Sequence, residues 1–296
     1  MIPFTDRATL NHAMKRDCLV IVSLPSEAKP LIEHWKLKPL RRNQTEERFQ
    51  LSHNNGIYLA ISGMGKVRSA IATSALLASK VCSTPNPIIA NVGIAGSSIN
   101  DLLPGTLVYI NKIRDFASNV SFYPDVILKH RLPEAPLETH DTPVTTQLSN
   151  RAIVDMEASG FIQSALSFMA PSTVMILTVI SDMCDGTKIT PQDASTHIQG
   201  HVETIGHLVE GMRTHLPEPI ALDDVDLKTL ESIVSHAQLS TSQTHELTRC
   251  VTALKAQQKP FLAPLKNLLT KSITSKSERN AHFTELLETL YGGTIE

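Results

Sequence analysis

The sequence predicts an α/β fold, in which a mostly parallel central sheet carries helices on both faces and a small all-α module follows. Up to about residue 212, short apolar segments alternate with amphipathic helical patterns, as is typical of parallel sheets. Strand patterns stop after residues 215–224, which contain two prolines and an acidic cluster. We therefore predict a domain of residues 1–216 and a helical C-terminal module of residues 217–296, whose role the sequence does not indicate.

Five segments of the first domain have strand patterns. The first and the last are apolar on both faces, as buried parallel strands are. The third runs directly into glycines. The five segments are 18–24, 57–63, 87–96, 106–113 and 173–182.

Helical patterns lie between these strands and beyond them. Apolar residues at helical spacing begin near Val67, a second helix is predicted at about 157–169, and a third stripe runs from Ala194 to Met212. The C-terminal module contains four short amphipathic patterns, with polar caps expected at Asp224, Thr241 and Ser275. These four patterns cover residues 224–238, 241–257, 261–271 and 276–291.

Charge and composition exclude several classes of function. The chain has 296 residues, a formal net charge of −2 and no long basic block, so neither nucleic acid nor a membrane is the expected partner. It contains no run of about 18 apolar residues and no signal-peptide pattern. The four cysteines are scattered without a CxxC pair, which fits a reducing cytoplasm and argues against a zinc site or a disulfide framework. We expect no metal and no cofactor.

Acidic residues collect where the predicted strands end. Glu27 follows the first strand, Asp155 and Glu157 follow the apolar residues 152–154, and Asp182 ends the fifth strand. Ligands of parallel α/β sheets bind beyond the carboxyl ends of the strands, so we expect a concave polar site there. The other residues of these turns that we single out are Gly63, Met64, Gly65, Gly93, Gly96, Ser181 and Asp185.

Each of these acids alone also has a purely structural explanation. An acid just after a strand often caps a helix or lies in its first turn, and for Asp185, beside a glycine, a turn is the favoured interpretation. The histidines at 197, 201 and 207 are interpreted as surface or core residues rather than metal ligands. The functional hypothesis therefore depends on the joint arrangement of the acids and the glycine turns.

The motifs at these strand ends resemble those of the nucleoside phosphorylase and nucleosidase superfamily, and most closely its 5'-methylthioadenosine/S-adenosylhomocysteine nucleosidase branch. The resemblance covers about residues 18–212 and does not include the C-terminal module. The matching motifs, in the family's order, are "IVSLPSEAKPL", "ISGMGKVRSAIATSALL", "NVGIAGSSINDLLPGTLVYINKIRD", "IVDMEASGF" and "VISDMCDG".

The resemblance implies a role for each acid in cleaving an N-glycosidic bond. Glu157 would bind the ribose hydroxyls, as a carboxylate can accept from two adjacent hydroxyls, and Met156 would pack on the sugar. Asp182 would be the general acid that protonates the purine, and Ser181 would orient it. Glu27 falls where the nucleosidase branch has the glutamate that activates water.

Further substrate contacts are implied at the glycine turns and near residues 122 and 144. Met64, Gly65 and Gly96 belong to the turns that match the family's motifs. Val144 falls where the family has an aromatic residue that stacks on the base, and Phe122 would cover the 5' side of the ligand. In the family this cover comes from a neighbouring subunit, so the resemblance implies a homodimer. Ile94 replaces the serine of the family's "TGSAGG" turn.

The implied substrate is a purine nucleoside modified at its 5' position, such as 5'-methylthioadenosine, S-adenosylhomocysteine or 5'-deoxyadenosine, in purine nucleoside catabolism or methionine salvage. Hydrolysis is favoured over phosphorolysis because Glu27 would repel phosphate, and because neither Arg68 nor Arg114 falls in the phosphorylase pattern. A phosphate-dependent phosphorylase and a non-catalytic nucleoside-binding protein remain the alternatives.

Overall fold

The computed structural model describes residues 15–40, 49–79, 81–84, 86–146, 152–215, 222–256, 259–269, 271, 273 and 275–291. The chain divides into two compact units, one within residues 1–217 and one within residues 218–296. The predicted boundary between residues 216 and 217 lies outside the described residues, and the role of the module stays open.

The described part of the first unit contains one mixed sheet with the strand order β10-β6-β8-β9-β5-β1-β4-β3-β2, and β7 pairs with β6. Because β10 pairs with β5 as well as with β6, the strands β5, β10, β6, β8 and β9 close into a ring. The strands are β1 (Cys18–Val22), β2 (Lys38–Pro39), β3 (Gln50–Asn54), β4 (Ile57–Ile61), β5 (Ile88–Ser97), β6 (Leu107–Asp115), β7 (Ser121–Phe122), β8 (Glu134–Thr139), β9 (Ile153–Asp155) and β10 (Val174–Asp182).

Parallel pairing at the centre of this sheet brings the predicted strand ends to one edge. Strand β1 pairs in parallel with β4 and β5, and β5 pairs in parallel with β10. The carboxyl ends of these strands therefore face the same side, where ligands of such sheets bind. Antiparallel pairs join β10 to β6, β5 to β9, β4 to β3 and β3 to β2. The predicted fold class is confirmed, and all five predicted strands are present.

Helices cover both faces of the sheet, and each face has its own buried apolar cluster. Leu31, Ile198 and Val209 belong to the cluster on one face, and Leu76 and Phe161 belong to the cluster on the other. These helices are α1 (Pro25–Trp35), α2 (Lys66–Ala78), α3 (Ala158–Leu166), α4 (Pro191–Gln199) and α5 (Val202–His215).

The predicted stripe from Ala194 to Met212 is buried as expected, but it belongs to two helices. Gly200 ends α4, and α5 begins at Val202. Between them, the Nε2 atom of His201 lies 2.7 Å from the carbonyl oxygen of Gly105. This histidine therefore contacts the backbone of the preceding β5–β6 connection.

The second unit is helical, as predicted. Its helices are α6 (Asp224–His236), α7 (Thr241–Ala256), α8 (Leu262–Leu268) and α9 (Lys276–Tyr291), and they enclose a core that includes Leu247, Val251 and Leu286. The cap of α6 is Asp223, one residue before the predicted Asp224, because its carboxylate accepts hydrogen bonds from the N–H groups of residues 225 and 226.

The other two predicted caps differ in outcome. Ser275 accepts a hydrogen bond from the N–H of Glu278 and so caps α9 as predicted. At the start of α7 the hydroxyl of Ser240 accepts from the N–H of Gln243, so the cap precedes the predicted Thr241. Within the described ranges, no helix is both long and apolar enough to cross a bilayer.

All four cysteines are free. Burial raises the pKa of the Cys18 thiol far above its ordinary range, that of Cys82 to about 12 and that of Cys184 to about 11. The thiol form therefore dominates at these three positions at neutral pH.

Candidate active site

A cavity of about 610 Å³ lies at the carboxyl edge of the sheet. Its volume is within the range of small-molecule sites in proteins. Four acids line it, whereas none of its described lining residues is lysine, arginine, histidine or aromatic. The lining residues are Ser23, Leu24, Pro25, Ser26, Glu27, Met64, Ile94, Ala95, Gly96, Pro143, Val144, Thr145, Val154, Asp155, Met156, Glu157, Ser181, Asp182, Gly186, Thr187, Ile189, Thr190, Pro191 and Ala194.

Glu27 is a buried carboxylate in the first turn of α1, with 1% of its surface exposed. Its Oε2 atom accepts three hydrogen bonds, from the N–H of Ser23 (2.9 Å), the hydroxyl of Ser23 (2.7 Å) and the N–H of Leu24 (2.9 Å). Its Oε1 atom accepts one, from the N–H of Ile94 (3.1 Å). Burial raises the pKa of Glu27, and these hydrogen bonds oppose the rise.

The hydrogen bonds of Glu27 leave room for a further donor on one oxygen. A carboxylate offers about two lone-pair positions on each oxygen. Oε2 is already fully used, so an additional donor, such as a water molecule, must approach Oε1. Because Glu27 lines the cavity, this position fits the predicted activation of water, and the backbone of Ile94 helps to set its direction.

Asp182 and Ser181 form a hydrogen-bonded pair at the end of β10. The Ser181 hydroxyl oxygen lies 2.7 Å from Asp182 Oδ2 and 3.1 Å from the carbonyl oxygen of Ala95. Asp182 Oδ1 accepts from the N–H of Cys184 at 2.8 Å. A hydroxyl has a single proton, so it can donate fully to only one of its two neighbours. Both contacts are satisfied together when Asp182 is protonated and donates to Ser181.

Gly96 leaves space for the side chain of Asp182. A Cβ atom on residue 96 would lie 2.8 Å from Cys184 Sγ, 3.0 Å from Asp182 Oδ1 and 3.4 Å from Val154 Cγ2. Any larger residue would therefore displace the side chains that set the position of Asp182. The predicted closeness of Gly96 to the site is explained by this packing.

Glu157 lies at the start of α3 and faces the N-terminus of α2. Its Oε1 atom accepts a hydrogen bond from the N–H of Gly65 at 2.7 Å, and its Oε2 atom lies 3.3 Å from the N–H of Met156. Burial, followed by the charge of Asp155, raises the pKa of Glu157 from its ordinary 4.5 to about 8. A ligand hydroxyl that donates to this carboxylate would favour its charged form.

Asp155 has a structural role beneath Glu157. Its Oδ2 atom accepts from the N–H groups of Ala158 (2.6 Å) and Glu157 (3.2 Å), so it fixes the backbone at the start of α3. Its Oδ1 atom accepts from the hydroxyl of Thr139 at 2.7 Å. Burial raises the pKa of Asp155 to about 6, against the effect of these hydrogen bonds. Asp155 therefore holds the start of α3, whereas Glu157 is directed to the ligand side.

The small residues that follow these acids allow two helices to meet. A Cβ atom on Gly160 would lie 1.9 Å from the carbonyl oxygen of Lys66 and 2.7 Å from its carbonyl carbon. Only glycine allows this approach, because both contacts are to backbone. The approach places the N-terminus of α2 beside that of α3, where the N–H of Gly65 reaches Glu157.

The remaining predicted site residues fall into two groups. Met64, Met156 and Val144 line the cavity, and Met64 is 57% exposed. Phe122 lies in β7 and packs against the apolar cluster of α2 and α3, and it does not line the cavity of its own chain. Its predicted role, to cover the 5' side of the ligand in a neighbouring subunit, stays a prediction.

The sequence interpretation missed the wall that α1 and α4 supply. Leu24 and Pro25 come from the start of α1, and Ile189, Pro191 and Ala194 come from α4 and the turn before it. Pro191, in the first turn of α4, was a visible helix-start signal close to the "SDMCDG" motif. Among the described residues, no group of three or more His, Cys, Asp or Glu side chains is arranged to hold a metal ion.

Comparison with known families supports the resemblance inferred from the motifs. Residues 17–153 match the family model of the phosphorylase superfamily. A search of curated protein sequences gives no significant match.

Solved structures share this fold at low sequence identity. The 5'-methylthioadenosine/S-adenosylhomocysteine nucleosidase of Neisseria meningitidis, in complex with methylthio-immucillin-A, is 18% identical, with a TM-score of 0.55, over 66% of this chain and 99% of that one. The 5'-methylthioadenosine nucleosidase of Arabidopsis thaliana is 15% identical, with a TM-score of 0.55, over 68% and 97%. The futalosine hydrolase of Helicobacter pylori is 16% identical, with a TM-score of 0.51, over 67% and 98%. The family model confirms the resemblance to the superfamily, and the solved structures confirm the shared fold.

Proposed function

We propose that the chain hydrolyses the N-glycosidic bond of a purine nucleoside that is modified at its 5' position. The observation that carries this proposal is the meeting of Glu27, Glu157 and Asp182 around one cavity. Cleavage of such a bond needs an acid for the base, a carboxylate to bind the sugar hydroxyls and a base for water. The three acids have different surroundings, and each surrounding suits one of these roles.

Asp182 acts as the general acid. Its proton, held beside Ser181, passes to an imidazole nitrogen of the purine as the glycosidic bond breaks, so the base leaves as a neutral molecule. The Ser181 proton then turns from the Ala95 carbonyl to Asp182 Oδ2 and stabilises the carboxylate that has formed. Gly96 and Cys184 keep the carboxyl group in place throughout.

Water, rather than phosphate, is the acceptor of the sugar. The open position on Glu27 Oε1 receives one proton of the attacking water. A phosphate in the same place would face four lining carboxyl groups with no cation among the described lining residues. Arg114 hydrogen-bonds to Glu138 and Asn119, so its guanidinium has partners of its own.

Glu157 binds the ribose diol. Its Oε1 and Oε2 atoms are held by the N–H groups of Gly65 and Met156, and each oxygen keeps a lone pair for a hydroxyl group. As the sugar becomes oxocarbenium-like, its hydroxyl groups become more acidic and these hydrogen bonds strengthen. The contact therefore contributes more to the transition state than to the ground state.

The apolar wall indicates the substrate class. Leu24, Pro25, Ile189 and Pro191 offer an apolar surface to the ligand. We therefore propose 5'-methylthioadenosine and 5'-deoxyadenosine as the first candidates, and S-adenosylhomocysteine as a larger one.

A homodimer belongs to the same proposal. Met64, Val67 and Ile71 form an exposed apolar row at and after the start of α2, with 57%, 66% and 55% of their surface exposed. Met64 also lines the cavity, so a second copy seated on this row would lie beside the ligand. Sedimentation of the purified protein tests this arrangement, and Val67→Glu is expected to produce monomers with a raised KM. A wild-type monomer that is fully active contradicts it.

Release of adenine from 5'-methylthioadenosine, with and without phosphate, tests the reaction. We expect release in phosphate-free buffer and no acceleration by phosphate. Release only with phosphate identifies a phosphorylase, and tight binding without release identifies a nucleoside-binding protein. Either result contradicts the proposal.

Asp182→Asn provides the residue-level test. It is expected to abolish turnover while adenosine analogues still bind, because the amide cannot supply the proton. Asp185→Asn is the matched control, because Asp185 is three residues away and its carboxylate accepts from the backbone of Thr187. Equal turnover in the two variants contradicts the role of Asp182.

A further inference from the structure

The ammonium group of Lys66 joins elements that lie on two sides of the cavity. Its Nζ atom is 2.9 Å from Asp115 Oδ2, at the end of β6, and 2.9 Å from Asp141 Oδ1, shortly after β8. Lys66 is also the first residue of α2, directly after Gly65. We propose that Lys66 is a positioning residue that fixes the sugar-binding pair Gly65–Glu157 and the base-side segment 141–145 relative to each other.

On the sugar side, a continuous chain of hydrogen bonds starts at this lysine. Asp115 Oδ2 also accepts from the hydroxyl of Ser159 at 2.8 Å, and the N–H of Ser159 donates to Thr139 Oγ1 at 2.9 Å. Thr139 in turn donates to Asp155, whose carboxylate accepts from the N–H of Ala158 at the start of α3. The ammonium of Lys66 is thus linked to the helix start that presents the sugar-binding carboxylate.

Lys66 and Asp115, which form the less exposed of the two ion pairs, are both charged at neutral pH. Hydrogen bonds to Asp115 and Asp141 raise the pKa of Lys66. Although burial acts to raise it, hydrogen bonds from Lys66, Ser118 and Ser159 hold the pKa of Asp115 well below its ordinary range. The side chains of Lys66 and Asp115 are only 22% and 12% exposed, so water screens their attraction less than that of a surface pair.

On the base side, Lys66 binds the segment 141–145 through Asp141, which lies at the surface. Asp141 is 60% exposed, and the segment it begins supplies Pro143, Val144 and Thr145 to the cavity wall. Exposed ion pairs contribute little alone, but here the same ammonium is fixed by Asp115. The position of Val144, where a base is expected to lie, therefore depends on Lys66.

Three variants separate the effect of Lys66 on the sugar-binding pair from its effect on the base-side segment. The substrate-preference test rests on the proposed function. Lys66→Met keeps most of the side-chain stem and removes both ion pairs. Asp141→Asn weakens only the base-side contact. Lys255→Met is the matched control, because its ammonium likewise bridges two aspartates, Asp223 and Asp226, in the second unit.

Adenine and two nucleosides serve as probes. We expect Lys66→Met to raise the Kd for adenine at least tenfold, and to reduce the preference for 5'-methylthioadenosine over its 2'-deoxy counterpart. Asp141→Asn should raise the Kd for adenine and leave that preference unchanged. Lys255→Met should match the wild type in both. Unchanged adenine affinity and preference in Lys66→Met overturn the inference.

Hydrogen exchange gives a readout that is independent of turnover. The amides of Gly65, His140 and Ser159 donate hydrogen bonds to Glu157, Asp155 and Thr139, and we expect them to exchange at least tenfold faster in Lys66→Met than in the wild type or in Lys255→Met. Equal exchange, or a fall in Tm with faster exchange spread over the whole first unit, reduces Lys66 to a general stabilising residue and overturns the inference. If the wild type neither binds adenine nor releases it, the proposed function fails, and the exchange result still decides the role of Lys66.

Discussion

Replacing Gly160 by alanine tests whether helix packing controls the sugar-binding carboxylate. The new Cβ atom would lie 1.9 Å from the carbonyl oxygen of Lys66, whereas ordinary contact begins at about 3.4 Å. The backbone at residue 66 must therefore retreat by about 1.5 Å, a distance that follows from these two values. The adjacent N–H of Gly65 retreats with it, and its 2.7 Å hydrogen bond to Glu157 is lost.

The size of the effect follows from the lost bond and from the overpacking. A hydrogen bond to a charged group contributes about 1.5–3 kcal/mol, which corresponds to a loss of about 10- to 150-fold in kcat/KM. Overpacking a well-filled contact costs about 1–3 kcal/mol of stability. For a domain of this size, each kcal/mol lowers Tm by about 2–4 °C. The activity of Gly160→Ala should thus fall at temperatures where the variant is still folded.

The assay is adenine release from 5'-methylthioadenosine at 25 °C, with calorimetry on the same samples. Gly200→Ala is the control, because Gly200 ends α4 at an ordinary φ of −61° and its added Cβ would lie 3.6 Å from the carbonyl of His197. The control should keep wild-type kcat/KM and an equal or higher Tm. A Gly160→Ala variant with lowered Tm but wild-type kcat/KM would refute the link between the packing and the carboxylate.

Three further outcomes are expected. Because the pKa of Glu157 is raised from 4.5 to about 8, the native state binds a proton that the unfolded state lacks, so the free energy of unfolding should fall as pH rises through this window. Urea unfolding of Glu157→Gln should show a flatter dependence, and equal slopes would contradict the shift. Glu27→Gln should abolish hydrolysis. It should also lower the free energy of unfolding by about 1–3 kcal/mol, because an amide cannot accept all four hydrogen bonds. Wild-type turnover in this variant would rule out the proposed role of Glu27 in activating water. Residues 1–217 alone should fold and keep full activity, since the second unit has its own core; an unfolded fragment on calorimetry would contradict this.

Sequence patterns predicted the strands and helices that have strong periodicity. The segments at 18–24 and 173–182 are buried on both faces, and their apolar runs have no competing interpretation. The strands Gln50–Asn54 and Glu134–Thr139 were missed because polar residues interrupt their patterns. The short strand Ile153–Asp155 was expected from the apolar residues that precede Asp155, although three residues are too few to show a periodicity.

The candidate site was predicted in part for a similar reason. Glu27, Glu157 and Asp182 lie at strand ends, and local position alone brings them to one edge. The contributions of Lys66 and of the α4 wall depend on contacts between elements far apart in the chain. Spacing within a motif contains no information on such contacts.

The burial of the thiols has a practical consequence for spectroscopy. Cys18 and Cys184 are fully buried, and at neutral pH thiols with raised pKa values react slowly with alkylating reagents. A cysteine introduced at an exposed position, such as Leu103 between β5 and β6, would therefore take up a spin label or fluorophore selectively. Distances between two such labels could then be measured in solution after replacement of Cys82 alone, which is only partly buried.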